Sequence, residues 1–245
     1  MRIPMPLVNV KKRWQVLRKL QLNILKLYEK GMKGTSTLKK AEEIANSVSH
    51  GVGIGLAVAA LALLVTFASL YGNAWHIVSF SIFGTSMVLL YMASTLFHVT
   101  RRARLKVKLN RFDHSAIYIL IAGSYTPLAL VSLRGWVGWT IFGLIWSMAV
   151  AGIIFKIWFY SSKWKKLSTG LYVAMGWLAL VAIVPVIEHV PSTSLWFIFS
   201  GGLSYTAGVA FYLYSRIPFF HLIFHLFILG GSVCHFFAFL FLLPI

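Results

Sequence analysis

Apolar residues gather along the chain into seven blocks, each about as long as the roughly 20 residues a helix needs to cross the hydrocarbon core of a bilayer. The blocks predict membrane-spanning helices over Ser47–Leu70, Ile77–Val99, Phe112–Leu133, Val137–Phe159, Ser168–Ile187, Ser194–Tyr214 and Pro218–Leu243. Pro185 and Pro191 bracket a short break around Glu188 and His189, which separates the fifth block from the sixth. The expected fold is an all-α membrane protein, a seven-transmembrane-helix bundle. It divides into a basic N-terminal segment, residues 1–40, and a seven-transmembrane domain, residues 41–245.

Polar positions between the blocks set the expected orientation. With the N-terminus in the cytoplasm, 22 of the 23 Lys and Arg fall on the inner side, and Arg134 alone lies outside. Reversal would invert this ratio, so the excess of positive charge on cytoplasmic loops selects one topology, with the C-terminus outside. An even number of spans would break the alternation. Within residues 10–30, Val10, Trp14, Leu17, Ile24 and Tyr28 recur at helical spacing among lysines and Arg18. That pattern suggests an amphipathic helix on the inner leaflet, although a basic tail that only sets topology would carry the same charges.

Composition agrees. Charged residues make up 11% of the chain, too few to clothe a water-soluble surface. The net charge of +18 would raise the question of nucleic acid in a soluble protein. Here the basic residues bunch beside apolar spans, which points to topology and to anionic lipid headgroups as partners; no nucleic acid and no protein partner are inferred. Cys234 is the single cysteine, so an intrachain disulfide is impossible. About 45 mostly polar residues precede the first span, too many for the charged start of a cleaved signal, and that span is expected to remain as an anchor. A multi-pass protein of the bacterial inner (cell) membrane is the expected location.

The chemistry lies in polar residues placed in the wrong solvent, where ionisable groups are costly and point to function. In the expected topology Glu43, Asn46 and His50 open span one, Ser94 and His98 close span two, Asp113 and His114 open span three, and His221 and His225 open span seven. Four sequence-distant clusters thus share the cytoplasmic level of the membrane. His221 and His225, four apart, project from one helix face, and Ser94 and His98 repeat that spacing. Three imidazoles, His98, His221 and His225, with a fourth position left open are the ligand pattern of a catalytic zinc site. Asp113 is the natural partner for water there, and Ser94 could support that water or a polarised carbonyl oxygen. An HxxxH pair alone carries less weight, since two interfacial histidines often only meet headgroups. His76 and His189 read that way, His235 as a hydrogen-bonding group inside the bundle, and His114 as turned away from Asp113.

At these residues the chain resembles the haemolysin III family, the bacterial branch of the progestin and adiponectin receptor superfamily. The matching motifs are Glu43-x-x-Asn46-x-x-x-His50, Ser94-x-x-x-His98, Phe112-Asp113-His114-Ser115 and His221-x-x-x-His225. Arg216-Ile217-Pro218 and Gly231-Ser232-Val233-Cys234-His235 add to the likeness, which runs from about Ala41 to the C-terminus. The resemblance implies one zinc ion held by His98, His221 and His225, with Asp113 positioning the water. It also implies kinship with alkaline ceramidases, which hydrolyse a lipid amide. The expected role is in membrane or lipid homeostasis, with zinc-dependent hydrolysis of a lipid amide or ester as its candidate chemistry; in that chemistry Asp113 and Ser94 are the catalytic candidates and Glu43, Asn46 and His50 support the site. The alternatives are a non-enzymatic membrane sensor with structural zinc, and a haemolysin-like cytolysin.

Overall fold

A computed structural model describes residues 10–159 and 164–244; side chains are described from Ser36 onward and at Arg18 and Lys19. The other side chains expected to shape the N-terminal amphipathic face, Trp14 and Tyr28 among them, lie outside the described residues. Every regular element among the described residues is helical. In chain order these are α1 (Val10–Tyr71), α2 (Ala74–Val99), α3 (Ala103–Pro127), α4 (Trp136–Ile154), α5 (Lys165–Gly176), α6 (Ile183–His189), α7 (Ser192–Leu213) and α8 (Phe220–Leu240). The chain falls into two compact units that divide between Ala41 and Glu42.

Seven segments are long and apolar enough to span a membrane: Ser36–Tyr71, Ala74–Val99, Ala103–Ser132, Trp136–Phe159, Lys165–His189, Ser192–Leu213 and Phe220–Leu240. The seven predicted blocks match them in order. The third helix starts earlier than its apolar block, at Ala103 instead of Phe112, because the basic stretch before it is made of good helix formers. A π-helical turn over Leu128–Ser132 extends it beyond Pro127. Large apolar side chains such as Val58, Val181 and Trp196 point outward, as lipid-facing positions must.

The fifth span is interrupted where the sequence carried no strong warning. Helix α5 ends at Gly176, a 3-10 turn covers Leu178–Ala182, and α6 resumes at Ile183. Such a break frees backbone groups that bilayer hydrocarbon cannot satisfy. Tyr125 of α3 supplies partners: its hydroxyl donates to the Gly176 carbonyl at 2.9 Å and accepts from the Ala179 N–H at 2.8 Å.

Helix α3 sits at the centre. Two thirds of its apolar window is buried (67%), against 17% for the fifth and sixth spans. On one side Ala116 and Leu120 join Phe80, Phe83 and Leu90 of α2, Ala57 and Leu64 of α1 and Phe239 of α8. On the other, Tyr118, Ala122 and Tyr125 join Ile145 and Ala149 of α4 and Met175 of α5. Lipid tails are as apolar as leucine, so helices in a bilayer gain from close packing more than from leaving water. Gly152 of α4 permits such an approach, since a Cβ there would strike the Tyr118 ring.

Helix α2 begins with a reciprocal cap. Asn73 Oδ1 accepts from the Trp75 and His76 N–H groups, while His76 Nδ1 accepts from the Asn73 N–H. His76 is buried and serves the helix start, where the sequence suggested a headgroup contact.

Candidate metal centre

Four helices bring the centre together. On α1, Glu43, Asn46, His50, Gly53 and Ala57 recur every three or four residues, so one face carries both the polar cluster and the apolar seam below it. Asn46 and His50 are buried. His98 lies one residue from the end of α2, and His221 and His225 occupy successive turns at the start of α8.

The three-histidine arrangement is compact. His98, His221 and His225 each offer a ring nitrogen, and these atoms lie within 4.8 Å of one another. Ring centroids are 4.6 Å apart for His221–His225, 5.1 Å for His98–His225 and 5.3 Å for His98–His221. This group could hold a metal ion.

Hydrogen bonds fix which nitrogens are offered. His98 Nδ1 donates to Glu43 Oε2 at 2.9 Å, and Lys106 Nζ holds the other oxygen of that carboxylate at 2.8 Å. His98 Nε2 is buried and makes no hydrogen bond. The Ser49 hydroxyl gives its proton to the Asn46 carbonyl at 2.8 Å, so it accepts from His225 Nδ1 at 3.2 Å. Both imidazoles therefore carry their proton on Nδ1 and present the Nε2 lone pair. Neutral imidazole with its outer N–H anchored is the form that ligates metal.

His50 stacks on His225 with centroids 3.6 Å apart and an interplanar angle of 17°. Its two ring nitrogens are buried without hydrogen bonds, and Tyr91 meets its ring edge-on. His50 lies beside the three-histidine group, not within it.

Asp113 and Ser94 line a cavity together with His50, His221 and His225. The Ser94 hydroxyl interacts with the Asp113 carboxylate across the α2–α3 contact. Asp113 is not among the grouped ligands. His114 is not turned away from Asp113 as expected: its Nδ1 lies 3.7 Å from Asp113 Oδ2 while donating to the Asn110 carbonyl at 2.8 Å, and its Nε2 accepts from the Tyr212 hydroxyl at 3.0 Å. That pairing ties α3 to α7 beside the cluster.

Three contributors were not singled out from the sequence. Ser49 aligns His225, but a serine in an apolar helix gives no sign of a partner 176 residues away. Glu42 Oε1 accepts the Phe219 N–H at 3.1 Å, and so pins the left-handed residue (φ 64°) that starts α8 two positions before His221. Lys156 had been counted only as a positive charge at a helix end. It is buried to 1% exposure, with Nζ 5.6 Å from the centre of the Tyr172 ring and its charge felt at Asp113.

The cavity encloses about 660 Å³. From the histidines it continues past Ile117, Tyr125, Leu180 and Val186 to Trp196, and its walls are overwhelmingly apolar. A slot of this kind, with polar groups at one end, is built for a molecule with a polar head and an apolar body.

Helix bundle, spans and buried histidines together define a multi-pass membrane protein with a candidate metal centre at one end of an apolar cavity. The sequence matches the Haemolysin-III related family over residues 38–236, and the chain belongs to that family. It is 48% identical over 200 residues to the "Hemolysin-3 homolog" of Bacillus subtilis (strain 168), covering 82% of this chain and 93% of that protein. To the "Hemolysin-3" of Bacillus cereus it is 46% identical over 200 residues, covering 82% and 91%. A more distant likeness, 29% over 203 residues and 80% and 82% of the two chains, links it to the human "Monocyte to macrophage differentiation factor", in keeping with the wider receptor superfamily implied by the motifs.

Proposed function

We propose that the protein is a zinc-dependent membrane hydrolase of a lipid amide or ester, with a role in membrane lipid homeostasis and its centre at the cytoplasmic face of a bacterial cell membrane. The observation that carries this reading is a group of three imidazoles, His98 and His225 buried and His221 half-buried, two of which, His221 and His225, line a long apolar cavity. His98, His221 and His225 would hold the ion, and the donor set suits it: nitrogen ligands oriented by a carboxylate and a hydroxyl are typical of zinc. The unpartnered Nε2 of His98 is the orphaned buried atom that a metal would satisfy.

When bound, zinc supplies Lewis acidity and acidifies water. The chain's own residues do the rest. The apolar walls take the acyl chain and set the carbonyl at the polar end, where bulk water is scarce. Asp113, which lines the same cavity as His221 and His225, acts as general base, taking the proton of the attacking water and returning it to the leaving nitrogen or oxygen. Ser94, in contact with Asp113, donates its hydroxyl proton to that carboxylate and orients it as a base. Glu43 holds His98, and Ser49 holds His225.

The test is hydrolysis of long-chain lipid amides and esters by purified, metal-loaded protein beside Asp113→Asn. Turnover that persists at full rate in a variant retaining zinc would overturn the mechanism. A second reading is a sensor in which zinc is structural; the support is the Glu43–Lys106 pair, which braces the centre as a joint between α1, α2 and α3. Zinc bound without hydrolysis of any lipid would favour it. The name of the Bacillus relatives raises cytolysis as well, and zinc-independent leakage from liposomes carrying the protein would be its signature.

A further inference from the structure

His235 is the group in the cavity that the centre does not use. It lies on α8 ten residues beyond His225, is 9% exposed, and lines the cavity together with Tyr205 and Phe239. Neither of its ring nitrogens makes a hydrogen bond. Helix α7 leaves room for the ring, since a Cβ on Gly201 would come within 2.7 Å of His235 Nε2. The Ile198 carbonyl faces the ring from the same helix without reaching hydrogen-bond geometry.

The other polar groups along this stretch are already satisfied. Ser124 donates to the Ile121 carbonyl, Tyr125 to the Gly176 carbonyl and Thr206 to the Gly202 carbonyl, while Thr206 also accepts from the Trp177 indole. Tyr205 pairs with Ser232, which Tyr91 holds from the other side. A buried water needs two to four polar partners, and here it would find one imidazole. A neutral imidazole has one N–H and one lone pair to satisfy, so a group that can donate to it or accept from it, as a hydroxyl can, answers it.

Ten helical residues separate His235 from His225 by about 15 Å along α8, on the order of a dozen carbons of an extended chain. We propose that His235 receives the hydroxyl of a long-chain hydroxylated lipid whose polar head lies at the histidine cluster. The cavity would then select chains by a donor placed far from the head. This rests on the reading of the cavity as a lipid-chain site, but not on turnover.

The experiment is displacement of a fluorescent fatty acid from purified full-length protein by stearate, 12-hydroxystearate and 2-hydroxystearate, with wild type beside His235→Phe. Wild type is expected to bind 12-hydroxystearate about tenfold more tightly than the other two, the worth of one satisfied buried hydrogen bond. In His235→Phe the advantage disappears while stearate binding stays within about twofold, since the ring volume is kept. Equal affinity of all three for wild type, or an advantage that survives in His235→Phe, overturns the assignment of His235 alone. Failure of all three to bind folded wild type overturns the lipid-chain reading and this inference with it. Should His235→Phe not fold, the positional series on wild type still decides.

Discussion

His98 Nδ1 lies 2.9 Å from Glu43 Oε2, joining the end of α2 to α1 across 55 residues of chain. A metal ligand whose outer nitrogen donates to a carboxylate is held in one tautomer and one orientation, and its basicity rises. Glu43→Gln keeps the size of the side chain and removes the charge. The expected outcome is a 10- to 100-fold loss of zinc affinity, read by competition with a chelator of known strength, without loss of the helical circular dichroism signal.

Removing the ligands themselves tests the centre most directly. About one zinc per chain is expected for wild type by elemental analysis, in keeping with a single three-histidine group. None is expected for the His221→Ala/His225→Ala double variant. Equal metal in both preparations would move the site elsewhere.

Asp113→Asn separates chemistry from binding. The amide keeps the shape and loses the proton acceptor, so lipid hydrolysis should fall by about 100- to 10,000-fold while zinc content is unchanged. A matching loss of zinc would make Asp113 a structural support of the centre.

The bridged break in the fifth span predicts a stability effect remote from the metal. Tyr125→Phe removes the hydroxyl that serves both Gly176 and Ala179 and leaves two backbone groups unpaired in an apolar setting. The cost is about 1–3 kcal/mol per buried unsatisfied group, to be seen as a lower unfolding midpoint in detergent with zinc content unaltered.

Topology is checked by reporter fusion at Ile245. Alkaline phosphatase, which matures outside the cytoplasm, should be active there, and a fluorescent protein that needs the cytoplasm should be dark. The opposite pair would turn the bundle over and place the histidine cluster on the outer face.

How much of this was legible in the sequence follows from what each feature depends on. Seven spans could be read because hydropathy over some 20 residues is a local property. His221 and His225 could be paired because both sit on one helix, and His98 joined them once alternation set the level of each span. Ser49 and Glu42 could not be found that way. Each acts on α8 from α1, and nothing within a turn of either residue says which helix will be its neighbour. Lys156 misled for a related reason: a lysine at a helix end usually reaches toward headgroups, and only the packing of α4 on Tyr172 turns it inward. The interruption at 177–182 escaped because Pro185 drew attention to the wrong turn, while the residue that sustains the break, Tyr125, lies some 50 positions earlier.

Leu180, Ile187, Trp196 and Phe199 line the cavity and are also strongly exposed apolar residues, so the cavity opens on the apolar surface that the fifth and sixth spans offer to the bilayer. An amphiphile already dissolved in the membrane has left water before it meets the protein. Moving its tail from lipid into the slot changes the solvent of each methylene very little, because the two media are equally oily. Chain length, which dominates the partitioning of a fatty molecule out of water at about 0.8 kcal/mol per methylene, then contributes almost nothing to discrimination. For the proposed lipid ligand, choice among membrane components would fall to the few polar contacts at the histidine end and at His235, and the abundance that matters would be mole fraction in the leaflet, not concentration in solution.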